Sequence, residues 1–120
     1  MSARIRILLV DDSKLARMAM RAVVKDIVSD SEMLEAADAE TALDMLEHDR
    51  FDAVFMDYNM PGVDGLSAAT IIRERHPKAS IALVTAMAQD SILEEAGRLS
   101  VAFISKPVQR KDVAAFLTGS

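Results

Sequence analysis

The residues best suited to chemistry are Asp11-Asp12, Asp57, Thr85 and Lys106-Pro107, each standing at or just past the end of a short apolar run. Three carboxylates brought together repel one another, and burying such charge uncompensated is strongly unfavourable, so the set calls for a cation. Oxygen ligands with no nearby His or Cys favour Mg²⁺ or Mn²⁺ over zinc. A hard divalent ion in an open carboxylate site keeps waters and recruits phosphate oxygens, and Lys106 with Thr85 could contact the remaining phosphoryl oxygens. The chemistry is therefore phosphoryl transfer. Asp57 is the expected nucleophile, because carboxylates form acyl phosphates and Asp57 alone ends a central strand before a tight loop. Asp11 and Asp12 would hold the metal. Catalysis by Asp57, Thr85 and Lys106 would rest on in-line positioning and charge neutralisation. Taken singly, each group has a plainer use, as helix cap, strand-end hydroxyl, loop acid or solvated turn. Their weight comes from falling together at strand ends, in order, in so short a chain.

The elements that must position these groups alternate. Ile5 to Val10 is short, β-branched and apolar almost throughout, as expected of a strand covered on both faces. From Ser13 to about Val28 apolar residues recur at helical spacing. The spacing then predicts a strand over Met33 to Ala36, a helix over Ala39 to His48 capped by Asp38, and a strand over Ala53 to Met56. A loop from Tyr58 to Val63 contains Pro61-Gly62, after which Asp64 caps a helix that stops near His76, because Pro77 follows. Ile81 to Val84, Gln89 to Gly97, Val101 to Ile104 and Arg110 to Leu117 complete the pattern as strand, helix, strand and helix. Strands alternating with helices imply an α/β fold, a doubly wound five-stranded parallel sheet in which ligands collect beyond the carboxyl ends of the strands.

Composition narrows the function. A chain of 120 residues is read as one domain over 1–120 with no output domain. Lys and Arg total 14 against 19 Asp and Glu, and the net charge of −5 has the wrong sign for direct nucleic-acid binding. The absence of cysteine excludes disulfides, thiolate zinc sites and a cysteine nucleophile. No apolar run approaches the roughly 20 residues that span a bilayer, and no signal peptide is evident, so a soluble cytoplasmic protein without membrane attachment is expected.

The segments LLVDDS, FMDYNMPGVDG, LVTA and FISKP resemble those of the receiver domains of two-component response regulators, and the resemblance covers essentially the whole chain. It implies a flavodoxin-like (βα)5 fold in which Asp57 accepts a phosphoryl group from the phosphohistidine of a sensor histidine kinase or histidine phosphotransfer protein. Carried over by position, Asp12, Asp57 and the Asn59 carbonyl would be direct Mg²⁺ ligands, with Asp11 acting through water. Thr85 and Lys106 would bind the phosphoryl group, with Ala86 and Asn59 beside it. The resemblance also implies a cis peptide before Pro107, which proline makes affordable. Signalling would pass by protein–protein contact through a switch of Thr85 and Phe103 to the face of the last two helices and fifth strand, in a monomer or weak dimer.

Several positions depart from the family pattern. Phe103 stands where many relatives have Tyr and lacks its hydroxyl, so switching by packing and a fixed core position are both open. Leu99 and Ser100 replace the usual Gly-Ala pair, with Gly97 two residues earlier, which predicts an irregular or mobile fourth helix ending near Gly97. Ala39 replaces a common glycine. Asn59 and Met87 occupy positions that modulate attack of water on the acyl phosphate, and Met87 makes no strong hydrogen bond, so self-dephosphorylation is expected to be slow to intermediate. A phosphohydrolase with an aspartyl nucleophile would carry a second acid where Asn59 stands. In a flavin binder, Asp11-Asp12 would repel the cofactor phosphate. His48 and His76 are read as solvated residues near helix ends, on the side away from the carboxylates.

Overall fold

The computed structural model describes residues 4–60, 62–86 and 89–119. Ten elements alternate along the chain: β1 (Ile5–Val10), α1 (Lys14–Ile27), β2 (Ser31–Ala36), α2 (Ala39–His48), β3 (Ala53–Asp57), α3 (Gly65–Arg75), β4 (Ser80–Thr85), α4 (Asp90–Arg98), β5 (Ala102–Ser105) and α5 (Arg110–Thr118). All five strands are parallel, in the order β2-β1-β3-β4-β5. This is the flavodoxin-like order, with its topological switch between β1 and β3.

Strand periodicity divides the core into two layers. Leu8, Val10, Val54, Met56, Ile81 and Leu83 pack against residues of α2, α3 and α4 on one face of the sheet. Their neighbours Ile7, Leu9, Phe55, Ala82 and Val84 pack against Met20 and Val24 of α1 and Val113 of α5 on the other. Every residue of β3 is buried, which is why this strand reads as a continuous apolar run ending in an acid.

Helix starts follow cap chemistry. Asp38 accepts from the Thr41 N–H at 2.7 Å, Asp64 from the Ser67 N–H at 2.8 Å, and the Ser13 hydroxyl from the Ala16 N–H at 3.2 Å. Gln89 and Gln109 precede α4 and α5 without a side-chain cap bond. β2 begins at Ser31, two residues before the periodicity suggests, because Ile5 and Arg6 of β1 already pair with Ser31 and Glu32.

The fourth helix ends near Gly97 as expected but lacks the expected irregularity. It is regular through Arg98, one residue past Gly97. It closes when the Val101 N–H donates to the Ala96 carbonyl at 2.8 Å and the Ser100 N–H to Gly97 at 3.1 Å, the two bonds of a Schellman motif. Ser100 therefore takes the left-handed position, with φ of 57°. The Arg73 guanidinium holds this turn by donating to the carbonyls of Leu99 at 2.9 Å and Ser100 at 3.1 Å. It also reaches the carbonyls of Pro77 and Ala79, so one side chain of α3 secures two loops.

Candidate functional site

The strand ends bring the expected groups together. The hydrogen bond from the Tyr58 N–H to the Val84 carbonyl, at 3.0 Å, holds the end of β3 against β4. The bond from the Lys106 N–H to the Thr85 carbonyl, at 2.9 Å, holds the exit of β5 against the same strand. Asp57, Thr85 and Lys106 are thus fixed by the sheet itself. Thr85 is fully buried and Asp57 is 4% exposed, whereas Asp12, Asn59 and Ala86 stand at the surface. The Lys106-Pro107 peptide is cis. Pro61 and Met87, singled out in the sequence, lie outside the described residues.

Carboxylate oxygens of Asp11, Asp12 and Asp57 lie within 4.8 Å of one another. Lys106 Nζ stands between two of them, 3.0 Å from Asp57 Oδ1 and 3.2 Å from Asp11 Oδ2. The contact with Asp11 is a hydrogen bond, and Lys106 is also the ion-pair partner of the buried Asp57 Oδ1, for which the described residues offer no second donor. Burial pushes the Asp57 carboxyl above the usual carboxylate range, Asp11 and Asp12 push the same way, and Lys106 only partly opposes them. For Lys106, burial works against the charged form, but Asp57 and Asp11 outweigh it and raise the ammonium's pKa. The lysine stays charged, and this one ammonium compensates the three carboxylates only in part.

The second Asp11 oxygen accepts from the Ser13 N–H at 2.9 Å, tying this acid to the start of α1. A cavity of about 280 Å³ runs from Asp11, Asp57 and Lys106 along α1 past Ala16, Arg17 and Met20. Phe103 is half-buried, lies in neither core layer, and lines a surface groove with Asp112 and Phe116 of α5. His48 and His76 line a groove at the other end of the sheet with Arg6 and Asp52. A hydrogen bond with the Asp44 carbonyl raises the His48 pKa, the helix-end interaction expected for it.

Sequence reading missed Arg17, Glu35 and Gly65. Arg17 donates to the Asp11 carbonyl and to Glu35, an acid inside a strand, and that placement was the one available signal. Gly65 is the first residue of α3, and a Cβ there would collide with the Asp57 carbonyl oxygen. A poor helix former opening a helix marks such a close approach.

The profile of the response regulator receiver domain matches residues 7–118. Protein CcdB of Bacillus subtilis (strain 168) is 38% identical over 112 residues, covering 90% of each chain. Other curated relatives are longer, and the chain spans 30% of one and 50% of another. Among solved structures, the chemotaxis protein CheY4 of Vibrio cholerae superposes with a TM-score of 0.86 at 24% identity, covering 98% of both chains. The receiver domain of Saccharomyces cerevisiae Ssk1, co-crystallised with the histidine phosphotransfer protein Ypd1, has a TM-score of 0.83 at 18% identity and covers 96% of this chain and 87% of that one. At these identities the superpositions speak to the fold, while the profile match, which spans both acidic strand ends and the lysine, shows that this chain belongs to the response regulator receiver domain family.

Proposed function

We propose that this chain is the receiver of a cytoplasmic response regulator of a two-component system, and that Asp57 is its phosphoacceptor. The observation that carries the reading is Asp57 itself: a buried carboxylate 3.0 Å from Lys106 and within 4.8 Å of two further acids, so that three negative charges face one positive charge. Such a group needs a cation, and all-oxygen donors fit Mg²⁺ or Mn²⁺. Asp11, Asp12, Asp57 and the Asn59 carbonyl would hold the ion, which supplies charge neutralisation to the phosphoryl oxygens when bound.

The chain's own residues do the rest. Asp57 attacks the phosphorus of a phosphohistidine on a sensor histidine kinase or histidine phosphotransfer protein. The P–N bond breaks as the P–O bond forms, and the imidazole leaves with the electron pair and takes up a proton. The Lys106 ammonium, the Thr85 hydroxyl and the neighbouring groups of Ala86 and Asn59 receive the phosphoryl oxygens. The cocrystal of an Ssk1 receiver with Ypd1 supports a protein donor of this kind. Thr85 and Phe103 then couple the site to a protein effector on the α4–β5–α5 face, where Phe103 already borders a groove against α5. The chain turns over no separate substrate and loses its phosphoryl group at a slow to intermediate rate.

Intact-mass spectrometry tests this directly. Incubation with Mg²⁺ and a small phosphodonor should add a single phosphate to the wild type and none to Asp57→Asn. An adduct on both proteins, or on neither under conditions that phosphorylate another receiver, would refute it.

A further inference from the structure

We infer that Arg17 is a positioning residue for the acid pair: its guanidinium fixes the peptide unit joining Asp11 to Asp12, and so sets where both carboxylates stand for a divalent cation. The inference rests on the metal reading above and extends it to a residue outside the ligand set.

Arg17 lies in the first turns of α1, with its side chain 15% exposed. Its Nη1 donates to the Asp11 carbonyl at 2.6 Å, and its Nε donates to Glu35 Oε1 at 2.8 Å. The other Glu35 oxygen accepts from Arg21 Nη2 at 2.8 Å, a contact that does not reach Asp11. The Asp11 N–H donates to the Ala36 carbonyl at 3.1 Å. Both backbone polar groups of Asp11 are therefore tied to β2, one directly and one through the Arg17–Glu35 pair.

The consequence reaches Asp12 through covalent geometry. The Asp11 carbonyl and the Asp12 N–H share one planar peptide unit, so holding that oxygen fixes the direction in which the chain enters Asp12. The Asp12 side chain is exposed and makes no hydrogen bond or ion pair among the described residues, which leaves its backbone as the element that aims it. A planar fork with donors on two edges suits this task. A lysine is a point charge that serves one acceptor well and not both.

Charge alone predicts the opposite of positioning. A guanidinium near a dication repels it, so deleting the charge should tighten metal binding by Coulomb's law. Loss of positioning should loosen it, and groups that orient metal ligands typically contribute about 10- to 100-fold in affinity. The sign of the change separates the two effects.

The test is calorimetric titration of the full chain with Mg²⁺ alone, for wild type, Arg17→Lys, Arg17→Gln and Arg21→Gln, with each metal-free melting temperature recorded. Both Arg17 variants should bind Mg²⁺ about tenfold or more weakly. Arg21→Gln, which removes an equal charge from the same network without touching Asp11, should bind Mg²⁺ as tightly as the wild type or more tightly, as charge alone predicts. Arg17 variants that bind equally or more tightly would overturn the inference, whatever happens to their melting temperatures. So would an equal loss in Arg21→Gln, which would mean general loosening of α1 against β2. If Arg17→Gln does not fold, Arg17→Lys, which keeps the charge and the aliphatic stem, decides the matter. A wild type that binds no Mg²⁺ would remove the metal reading itself, an outcome distinct from unequal or equal binding among proteins that do.

Discussion

Gly65 packs directly beneath Asp57: a Cβ added to it would collide with the Asp57 carbonyl oxygen and lie 2.8 Å from the Tyr58 Cα. The Gly65 N–H donates to the Tyr58 carbonyl at 3.1 Å, so α3 begins against the backbone that presents Asp57, the proposed phosphoacceptor. Both obstacles are backbone, and a rotamer change cannot relieve them. Gly65→Ala should therefore cost about 1–3 kcal/mol, read as a lower urea midpoint, and should slow Asp57 phosphorylation by displacing the end of β3. Unchanged stability with an unchanged phosphorylation rate would show that α3 can shift without moving Asp57.

Asp57→Asn should make the metal-free protein more stable at neutral pH. Burial and neighbouring acids raise the Asp57 pKa above its ordinary 3.8, so the folded state disfavours the ionised form. The stability tied to a protonated Asp57 is fully present below 3.8 and is lost as pH rises through the higher folded-state value. An uncharged amide escapes that loss. The variant should melt several degrees higher at pH 7 in chelator, consistent with an effect of about 1 kcal/mol, and the gap should close on acidification. Added Mg²⁺ should reverse the order, because binding to the native state stabilises only the protein that retains the ligand. Calorimetry across pH with and without Mg²⁺ checks both halves.

The fold and the convergence of the acids with Lys106 were readable because both follow from local pattern. Strand and helix periods alternate cleanly, Asp38 and Asp64 announce helix starts, and Asp57 ends a strand with every residue buried. What remained hidden depends on pairing between distant segments. Arg17 reaches Glu35 because β1 and β2 align Leu9 with Glu35, a register that periodicity does not encode. The way α4 closes was hidden for a related reason. Gly97 looks like a helix stop, but the left-handed residue is Ser100, and Arg73, distant in sequence, holds the turn around it.

Ser100→Gly should stabilise the protein. A non-glycine residue in the left-handed region costs about 1–2 kcal/mol, partly offset by the greater freedom of glycine in the unfolded chain. A net gain of roughly 0.5–1 kcal/mol is expected, seen as a higher urea midpoint with an unchanged slope. Arg73→Ala should act in the opposite direction by releasing four carbonyls in two loops. A neutral or destabilising Ser100→Gly would mean that the serine side chain contributes something its φ angle does not reveal.

If the proposed protein donor docks beside the acid pair, Leu15 and Met18 should be part of its contact. They are 78% and 54% exposed on the first turns of α1, just past the acid pair, where burial in a partner would remove apolar surface from water. A donor that brings phosphohistidine to Asp57 must cover this rim. Leu15→Asp should slow transfer from a histidine phosphotransfer protein by about tenfold, the effect of losing one apolar contact of roughly 1.4 kcal/mol. Phosphorylation by a small-molecule donor, which touches no such surface, should be unaffected. Leu15→Gln controls for the added charge: if it leaves protein transfer intact while Leu15→Asp slows both donors, the aspartate is disturbing the metal site electrostatically and α1 is not the contact. Single-turnover transfer measured with both donor types distinguishes these outcomes.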